Sequence, residues 1–205
     1  MPNWCTNAIL FKGNSEEVTK LIETVKADEG DSTLSLKKII AVPEELTQLS
    51  APNRDEDQKE RLAKLYGAVD WYDFQVKNWG TKWDVDARVI YDSNEQAIGY
   101  KAYTDPGERF VHMEFDSAWS PPVFAIDMLA KQFPKVKIHH TYDESGSDFS
   151  GYRMYIGGEL VESKDYDSWT NVRMYLEPSE DIFEMFPTQT AEGEQNETVS
   201  HTADV

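Results

Sequence analysis

The sequence predicts an α+β domain in which helices cover one face of an antiparallel sheet. Alternation of apolar and polar residues is clearest at residues 110–115, where Val111, Met113 and Phe115 fall on one face of a strand. The apolar residues after Ser15 instead recur at the three- and four-residue spacing of a helix. Hydrophobic residues make up 40% of the chain and include six Trp, ten Tyr and nine Phe, which is enough for a substantial core.

The chain begins with a strand and a helix. Residues 7–11 form the predicted strand, which ends at Lys12-Gly13-Asn14. Ser15 is expected to begin the following helix, because acidic residues fill its first turn. The apolar stripe of this helix precedes an expected end near Gly30 and consists of Val18, Leu21, Ile22 and Val25.

A long connection at residues 31–79 is predicted to contain helices of its own. Its first part holds an apolar run at residues 36–40 and a helical first turn at residues 43–46. A polar stretch then leads to two further helices, of which the first ends at Gly67 and the second is capped by Asp70. This segment is therefore expected to be a helical insertion after the first helix.

Two strands are predicted between this insertion and residue 110. Residues 85–91 alternate between apolar and polar side chains. One face of that strand is expected to hold Val85, Ala87, Val89 and Tyr91. Residues 97–103 add a predicted edge strand.

The remaining elements are one helix and three strands. Ser120 is expected to cap a helix that begins with Pro121-Pro122 and ends before Pro134. Residues 136–142 form the next strand. Residues 152–162 are predicted to form a hairpin that turns at its Gly-Gly pair.

The order of these elements is the β-α-β-β-α-β pattern of the ferredoxin-like fold. We therefore expect an antiparallel sheet with two covering helices, a helical insertion at about residues 31–79 and an added C-terminal hairpin. The domain is predicted to span residues 1–187. Residues 188–205 contain no large apolar side chain and carry acids without Lys or Arg, which is typical of a disordered acidic tail.

Charge and cysteine content limit the functional classes. The formal net charge is -18, from 38 acidic and 20 basic residues. Such a chain repels phosphate backbones, so direct nucleic-acid binding is not expected, whereas a host protein with a basic surface is a suitable partner. Cys5 is the single cysteine, which excludes an intrachain disulfide and indicates a reducing, cytoplasmic location. No apolar run is long enough to cross a membrane.

Three short segments combine tryptophan with polar side chains. They are Pro2-Asn3-Trp4-Cys5, then Asn78-Trp79-Gly80-Thr81-Lys82-Trp83-Asp84, then Phe115-Asp116-Ser117-Ala118-Trp119-Ser120-Pro121-Pro122. At these segments the chain resembles the YubB family of ferredoxin-like proteins, and the resemblance extends over roughly the first 160 residues. It implies a ferredoxin-like domain carried by a phage or plasmid, without a known reaction.

The fold predicts that these three segments meet. In a ferredoxin-like sheet the four strands are antiparallel and lie in the order 4-1-3-2. The first two strands therefore begin, and the third and fourth end, at the same edge of the sheet. The first segment precedes the first strand, the second segment precedes the second strand, and the third segment follows the third strand.

Two interpretations of this convergence are open. In the functional one, four tryptophans wall a ligand site and nearby polar groups contact the ligand. The candidate binding residues are Asn3, Trp4, Asn78, Trp79, Thr81, Lys82, Trp83, Asp84, Ser117 and Trp119. In the structural one, the rings plug the end of the sheet, the polar groups satisfy loops, and Lys82 pairs with Asp84 or Asp86.

Other reactive residues give no catalytic or metal-binding pattern. Cys5 has no local base partner, so a buried inert thiol is favoured. His139 and His140 are adjacent on a strand and point to opposite faces, so they cannot share a metal. The acids at residues 84–86 and 143–144 lie near one edge, where paired carboxylates could hold Mg²⁺ or perform acid-base chemistry, although clustering is common in so acidic a chain. No catalytic residue, metal or cofactor is therefore predicted.

Two functional hypotheses follow. The first is a non-enzymatic accessory protein of a phage or plasmid that binds a host macromolecule through an acidic surface, for example as a DNA mimic or anti-defence factor. The second is a small-ligand-binding protein or enzyme that uses the site lined by Trp and Asn at the sheet edge.

Overall fold

The computed structural model describes residues 2–94 and 106–168. The predicted edge strand at residues 97–103 and the predicted tail at residues 188–205 lie outside these ranges. Within them, no helix is long and apolar enough to span a bilayer.

The described residues form an antiparallel six-stranded sheet with helices against one face. The strands are β1 (Trp4–Asn14), β2 (Arg88–Asp92), β3 (Glu108–Ala118), β4 (Lys137–Glu144), β5 (Phe149–Ile156) and β6 (Glu159–Tyr166). The helices are α1 (Ser15–Val25), α2 (Leu36–Ile39), α3 (Glu44–Thr47), α4 (Glu56–Tyr66), α5 (Trp71–Trp79) and α6 (Val123–Gln132).

The spatial order of the strands is β2-β3-β1-β4-β5-β6. The first four strands therefore have the predicted ferredoxin-like order, and the α+β fold class is confirmed. The β5–β6 hairpin extends the sheet beyond β4 and turns at Gly157 and Gly158, whose φ angles of 65° and 83° favour glycine.

Helix α1 begins at Ser15 as predicted but ends earlier than expected. Asn14 caps its start, because the Asn14 side chain accepts a hydrogen bond from the Glu16 amide at 3.0 Å. The helix ends at Val25, well before Gly30. The chain turns back there so that Leu34 can enter the core, where it is fully buried.

The four short helices α2 to α5 occupy the connection between α1 and β2, as a helical insertion. They enclose a small apolar cluster that includes Leu46, Leu62 and Phe74. Asp70 caps α5 as predicted, by accepting a hydrogen bond from the Asp73 amide at 2.9 Å. Gly80 ends α5 in the left-handed region with a φ of 90°.

Strand β2 departs from simple alternation. Its pairing with β3 shifts register between Val89 and Tyr91, as in a β-bulge. The shift moves Tyr91 away from the face that holds Val85, Ala87 and Val89, so the prediction of one shared face is wrong for Tyr91. Its ring instead lies 5.9 Å from that of Phe110 on the opposite face.

The two faces of the sheet have separate apolar clusters. Helices α1 and α6 pack on the first face, against side chains such as Phe11, Met113 and Ile138. We call the opposite face the second face; its cluster contains Leu10, Phe110 and Met154.

Candidate functional site

The three tryptophan segments meet at one end of the sheet, where β1 begins and β3 ends. Trp4 is paired with Ala118 in the β1–β3 register, and the Trp119 amide donates a hydrogen bond to the Asn3 carbonyl at 3.0 Å. The segment before β2 is held against the same end. The predicted strand order therefore brings these segments together.

Two side-chain hydrogen bonds join the second segment to the third. Thr81 donates from Oγ1 to the Ala118 carbonyl at 2.8 Å, and Ser120 donates from Oγ to the Gly80 carbonyl at 2.5 Å. Ser120 is thus used in a loop contact and does not cap α6, where Pro122 occupies the N-cap position. Gly80 leaves room for this contact, because a Cβ atom there would lie only 3.0 Å from the Pro121 carbonyl oxygen.

Three tryptophan rings at this end remain exposed. The exposed fractions are 51% for Trp4, 37% for Trp83 and 49% for Trp119. The rings of Trp4 and Trp83 are 6.1 Å apart with a 46° angle between their planes. We call these three residues the tryptophan patch. Because large aromatic side chains are usually buried, a group of exposed rings marks an interaction surface.

Trp119 adopts a backbone conformation that is unfavourable for its side chain. Its φ angle is 73°, in the left-handed region that L-residues other than Gly, Asn and Asp rarely occupy. Such a conformation costs about 1–3 kcal/mol and persists only where the surroundings impose it. Here the backbone is fixed before Trp119 by strand β3 and by the hydrogen bond from the Trp119 amide to Asn3, and after it by the hydrogen bond from Ser120 to Gly80.

Lys82 contacts aromatic rings rather than carboxylates. Its Nζ lies 4.6 Å from the centre of the Trp83 ring and 5.7 Å from that of Tyr72. Cation–π contacts of this kind contribute about 0.5–1 kcal/mol at exposed sites. The predicted pairing of Lys82 with Asp84 or Asp86 is therefore wrong, and the Trp83 ring is already in contact with one cation.

Several predicted site residues have structural roles instead. Trp79 is fully buried in the core and donates from Nε1 to the Ile40 carbonyl at 2.9 Å, so it does not join the tryptophan patch. Asn78 donates to the Phe74 carbonyl of its own helix at 2.8 Å. These positions on α5 face the protein because the helix packs between α3 and α6.

The Asp84 carboxylate is hydrogen-bonded to residues at the start of α2. Its carboxylate accepts hydrogen bonds from the Leu36 amide at 2.6 Å, the Ser35 hydroxyl at 2.7 Å and the Val85 amide at 3.0 Å. Lys37 lies 3.9 Å away. With these partners Asp84 anchors the insertion to the β2 strand.

Buried polar groups lie beneath the patch. Ser117 accepts from Asn7 Nδ2 at 2.9 Å and donates to the Ser120 carbonyl at 2.8 Å, while Asn7 Oδ1 lies 3.0 Å from Nε2 of His140. Burial lowers the pKa of His140 to about 3, so its ring is neutral at pH 7. Cys5 is fully buried, and burial raises the pKa of its thiol far above the ordinary value, so it is not a nucleophile at neutral pH.

Asn3 lies beside the β4–β5 turn. Its Nδ2 is 3.5 Å from Oε2 of Glu144, which also accepts from the Gly146 amide at 2.6 Å and the Ser147 amide at 2.7 Å. Burial alone would raise the pKa of Glu144, but hydrogen bonds from Ser147 and Gly146 lower it. A carboxylate with this many donors serves the turn rather than acid-base chemistry.

An acidic cleft borders the patch. It has a volume of about 290 Å³ and is lined by Thr6, Asp86, Arg88, Glu114, Phe115 and Asp116. Arg88 lies 3.8 Å from Glu114. Asp86 and Asp116 are exposed and form no ion pair with any described residue. We call these two residues the acidic border; Asp116 lies within the third tryptophan segment but was not among the predicted binding residues, because it follows a regular strand pattern.

A second cleft lies on the other side of Lys82. Its volume is about 400 Å³, and Pro52, Val69, Trp71, Tyr72 and Lys82 are among the residues that line it. Tyr72, which is 43% exposed, is a site residue that sequence reasoning missed. Its position beside the buried stripe of α5 is the signal that could have placed it at the surface.

These features define the class of protein. The sheet order and covering helices are those of a ferredoxin-like α+β domain, and the chemistry at its end suits binding by aromatic faces and carboxylates.

Comparison with known proteins shows which family this chain is similar to. Residues 99–186 match the family described as the ferredoxin-like domain in Api92-like protein. A 66-residue stretch is 33% identical to the uncharacterized protein YubB of Escherichia coli (strain K12), and it covers 31% of this chain and 45% of YubB. The chain thus spans less than half of YubB in this match. These matches confirm the resemblance to YubB-type ferredoxin-like proteins.

A solved structure is also similar. The protein api92 from Yersinia pseudotuberculosis resembles this chain with a TM-score of 0.47 and 12% sequence identity, over 81% of this chain and 98% of that one.

Proposed function

We propose that this chain is a non-enzymatic binding protein whose tryptophan patch and acidic border hold a basic segment of a partner macromolecule. The observation that carries the proposal is the exposure of Trp4, Trp83 and Trp119 on backbone that strand pairing and hydrogen bonds hold in place. Rigid aromatic anchors of this kind dominate binding energy at protein interfaces.

The chemistry of the surface selects the partner. Arg and Lys side chains stack on indole rings and pair with carboxylates, so a segment rich in these residues matches both parts of the surface. The patch already shows this contact within the chain, because Lys82 lies over Trp83. The net charge of -18 adds a long-range attraction for basic partners.

The partner that best fits this surface is a basic protein of the host cell. This chain would then be an accessory protein of a phage or plasmid that binds it. A DNA-binding or defence protein is a specific case, since carboxylates in phosphate-like positions can block a DNA-binding groove. The acidic border supports this case, and binding by DNA mimicry requires that DNA and this chain compete for the same partner.

The test compares three forms of the full chain as bait in the native cell. The first is unaltered, the second carries Trp4→Ala and Trp83→Ala, and the third carries Leu65→Ala. Leu65 is a matched control because it is an exposed apolar residue of α4, with an exposed fraction of 60%. We expect a basic protein to be retained by the first and third forms and lost from the second. Equal capture by all three forms would contradict the proposal.

Salt dependence tests the role of charge. Association of the captured partner should slow steeply as ionic strength rises, because the Debye length falls to about 8 Å at physiological ionic strength. An Asp86→Asn and Asp116→Asn variant should weaken that dependence. Association that is equally fast at low and high salt would show that the acidic border does not steer the partner.

The cleft beside Tyr72 favours a second candidate function. Its volume of about 400 Å³ is in the range of small-ligand sites, and Lys82 provides a cation at its edge. Asp70 and Asp73 also line the cleft, but their carboxylates already accept hydrogen bonds from backbone amides. An aromatic compound with a single anionic group at the Lys82 end therefore matches this lining. A thermal-shift screen with such compounds, repeated with Lys82→Met, tests this candidate. Stabilisation that Lys82→Met leaves unchanged would contradict it.

A further inference from the structure

The second face of the sheet is buried although the described helices pack on the first face. Leu10, Phe110 and Met154 have exposed fractions of 4%, 2% and 0%. The cluster that contains them consists of strand residues only, among the residues that the structure describes. His139 and Thr141 of β4, on the same face, are each 1% exposed.

A single layer of sheet cannot bury its own face. Side chains stand roughly perpendicular to the sheet, so neighbouring strands shield their sides and leave their ends in water. Burial of one face requires a second layer of protein, as in every stable arrangement of sheets and helices. The described strands and helices therefore do not by themselves account for the burial of this face.

A polar side chain on the second face also requires partners. His112 is 2% exposed, and neither of its ring nitrogens has a hydrogen-bond partner among the described residues. Glu114 lies 3.8 Å away, beyond hydrogen-bond distance. Buried polar atoms almost always have a partner, so the covering layer is expected to supply one.

The path of the chain after β6 indicates which segment covers the second face. The strand ends at Tyr166, and the Ser150 hydroxyl then donates to the Ser168 carbonyl at 2.6 Å. Ser150 is fully buried and shares the second face with Tyr152 and Met154, because these residues alternate along β5. The chain therefore leaves the edge strand towards the second face.

The next residues have the composition of a covering layer. Residues 169–186 contain large apolar side chains, whereas residues 188–205 contain none. The large apolar residues of the segment are Trp169, Met174, Tyr175, Leu176, Ile182, Phe183, Met185 and Phe186. The match to the ferredoxin-like family domain also continues to residue 186, so the family counts this segment within the domain.

We propose that residues 169–186 dock on the second face of the sheet and form its second layer. The segment is long enough for this, because 18 residues span about 27 Å even as a helix. The distance from β6 to β3 is four strand spacings, or about 19 Å. The apolar residues at positions 182–186 then belong to the domain core.

Footprinting of histidines in the full chain tests this proposal. Diethyl pyrocarbonate reacts with accessible imidazoles, and mass spectrometry locates the modified residues. The test variant carries Leu176→Ser, Phe183→Ser and Phe186→Ser, and the control variant carries Val199→Ser and Val205→Ser.

We expect modification of His112 and His139 to rise several-fold in the test variant only. His140, which lies on the first face against Asn7, should stay protected and so reports that the fold is intact. Unchanged modification of His112 and His139 would overturn the proposal.

Cross-linking decides the case in which the test variant unfolds and all three histidines react. The full unaltered chain is produced with photo-methionine and irradiated. Met154, on the second face, should cross-link to residues 169–186, whereas Met113, on the first face, should cross-link to the helix side. Cross-links from Met154 to residues 95–105, or to strand residues alone, would overturn the proposal.

Discussion

The helix-covered core and the tryptophan-bearing end of the sheet use the same side chain in opposite ways. Trp79 and Trp83 are four residues apart in one motif, yet Trp79 is fully buried and Trp83 is 37% exposed. The buried indole donates its N–H to a carbonyl, and the exposed indole contacts Trp4 and Lys82. The difference shows that one motif serves both stability and recognition, and that only the second use leaves apolar surface in water.

The largest expected difference in the free energy of unfolding is between the variants Trp79→Ala and Trp83→Ala. Trp79→Ala removes a fully buried ring and a hydrogen bond, so the free energy of unfolding should fall by about 3–5 kcal/mol. Trp83→Ala should change it by less than about 1 kcal/mol. Urea unfolding measures both values. If Trp79→Ala does not fold, Trp79→Phe should still be less stable than Trp83→Phe; equal stability of that pair would break the comparison.

Acid should weaken the buried regions before it affects the patch. Burial lowers the pKa of His112 and His139 to about 4 and that of His140 to about 3. The unfolded chain binds these protons near the ordinary pKa of about 6.5, so stability is complete above that pH and falls as pH drops towards 4. Each histidine contributes a slope of about 1.4 kcal/mol per pH unit.

The variant His140→Gln tests this pH dependence. It should make the fall in unfolding free energy between pH 6 and pH 4.5 shallower by the contribution of one histidine. Urea unfolding at several pH values measures the slope. A slope equal to that of the unaltered chain would show that His140 is protonated in both states or in neither.

Asp84 and Asp86 provide a matched pair of carboxylates. Asp84→Ala removes three hydrogen bonds, two of them to backbone amides, and should lower the unfolding free energy by about 1–3 kcal/mol. Asp86→Ala should leave stability nearly unchanged and slow association with a basic partner. Thermal unfolding and association rates separate the two effects. A stability loss of the same size in both variants would contradict this assignment.

Relief of the backbone strain at Trp119 should give the smallest change in stability. Trp119→Gly should be more stable than Trp119→Ala by about 1 kcal/mol, because glycine adopts a positive φ without steric cost. Both variants remove the same ring, so both should weaken partner binding alike. A Trp119→Ala variant as stable as Trp119→Gly would show that this backbone carries no strain.

Much of the fold could be predicted because local patterns agree with one another. Strand alternation, the Gly157-Gly158 turn and the caps at Gly67 and Asp70 each indicate the same order of elements, and that order determines which loops meet. The convergence of the tryptophan segments was therefore accessible from the sequence. The β-bulge at Val89 and the early end of α1 were not, because they depend on tertiary packing of Tyr91 and Leu34.

The candidate site was only partly predictable for a similar reason. Residue type does not reveal whether a polar group near a strand end faces a loop or a ligand. The Asp84 carboxylate is hydrogen-bonded by the start of α2, which lies 48 and 49 positions earlier in the chain, and the Ser117 hydroxyl accepts a hydrogen bond from Asn7, 110 positions earlier. Tyr72 and Asp116 became site residues only once the insertion and the strands were placed beside each other.

The β-bulge in β2 has a consequence for self-association. A regular edge strand offers unpaired amides and carbonyls to any other chain, and this is a common route to aggregation. Strand β2 lies at one edge of the sheet among the described strands, and it is only five residues long. Its register shift interrupts the even row of backbone groups that another strand would need. Copies of this protein are therefore discouraged from joining their sheets at β2, even though Ile90 is exposed there at 42%.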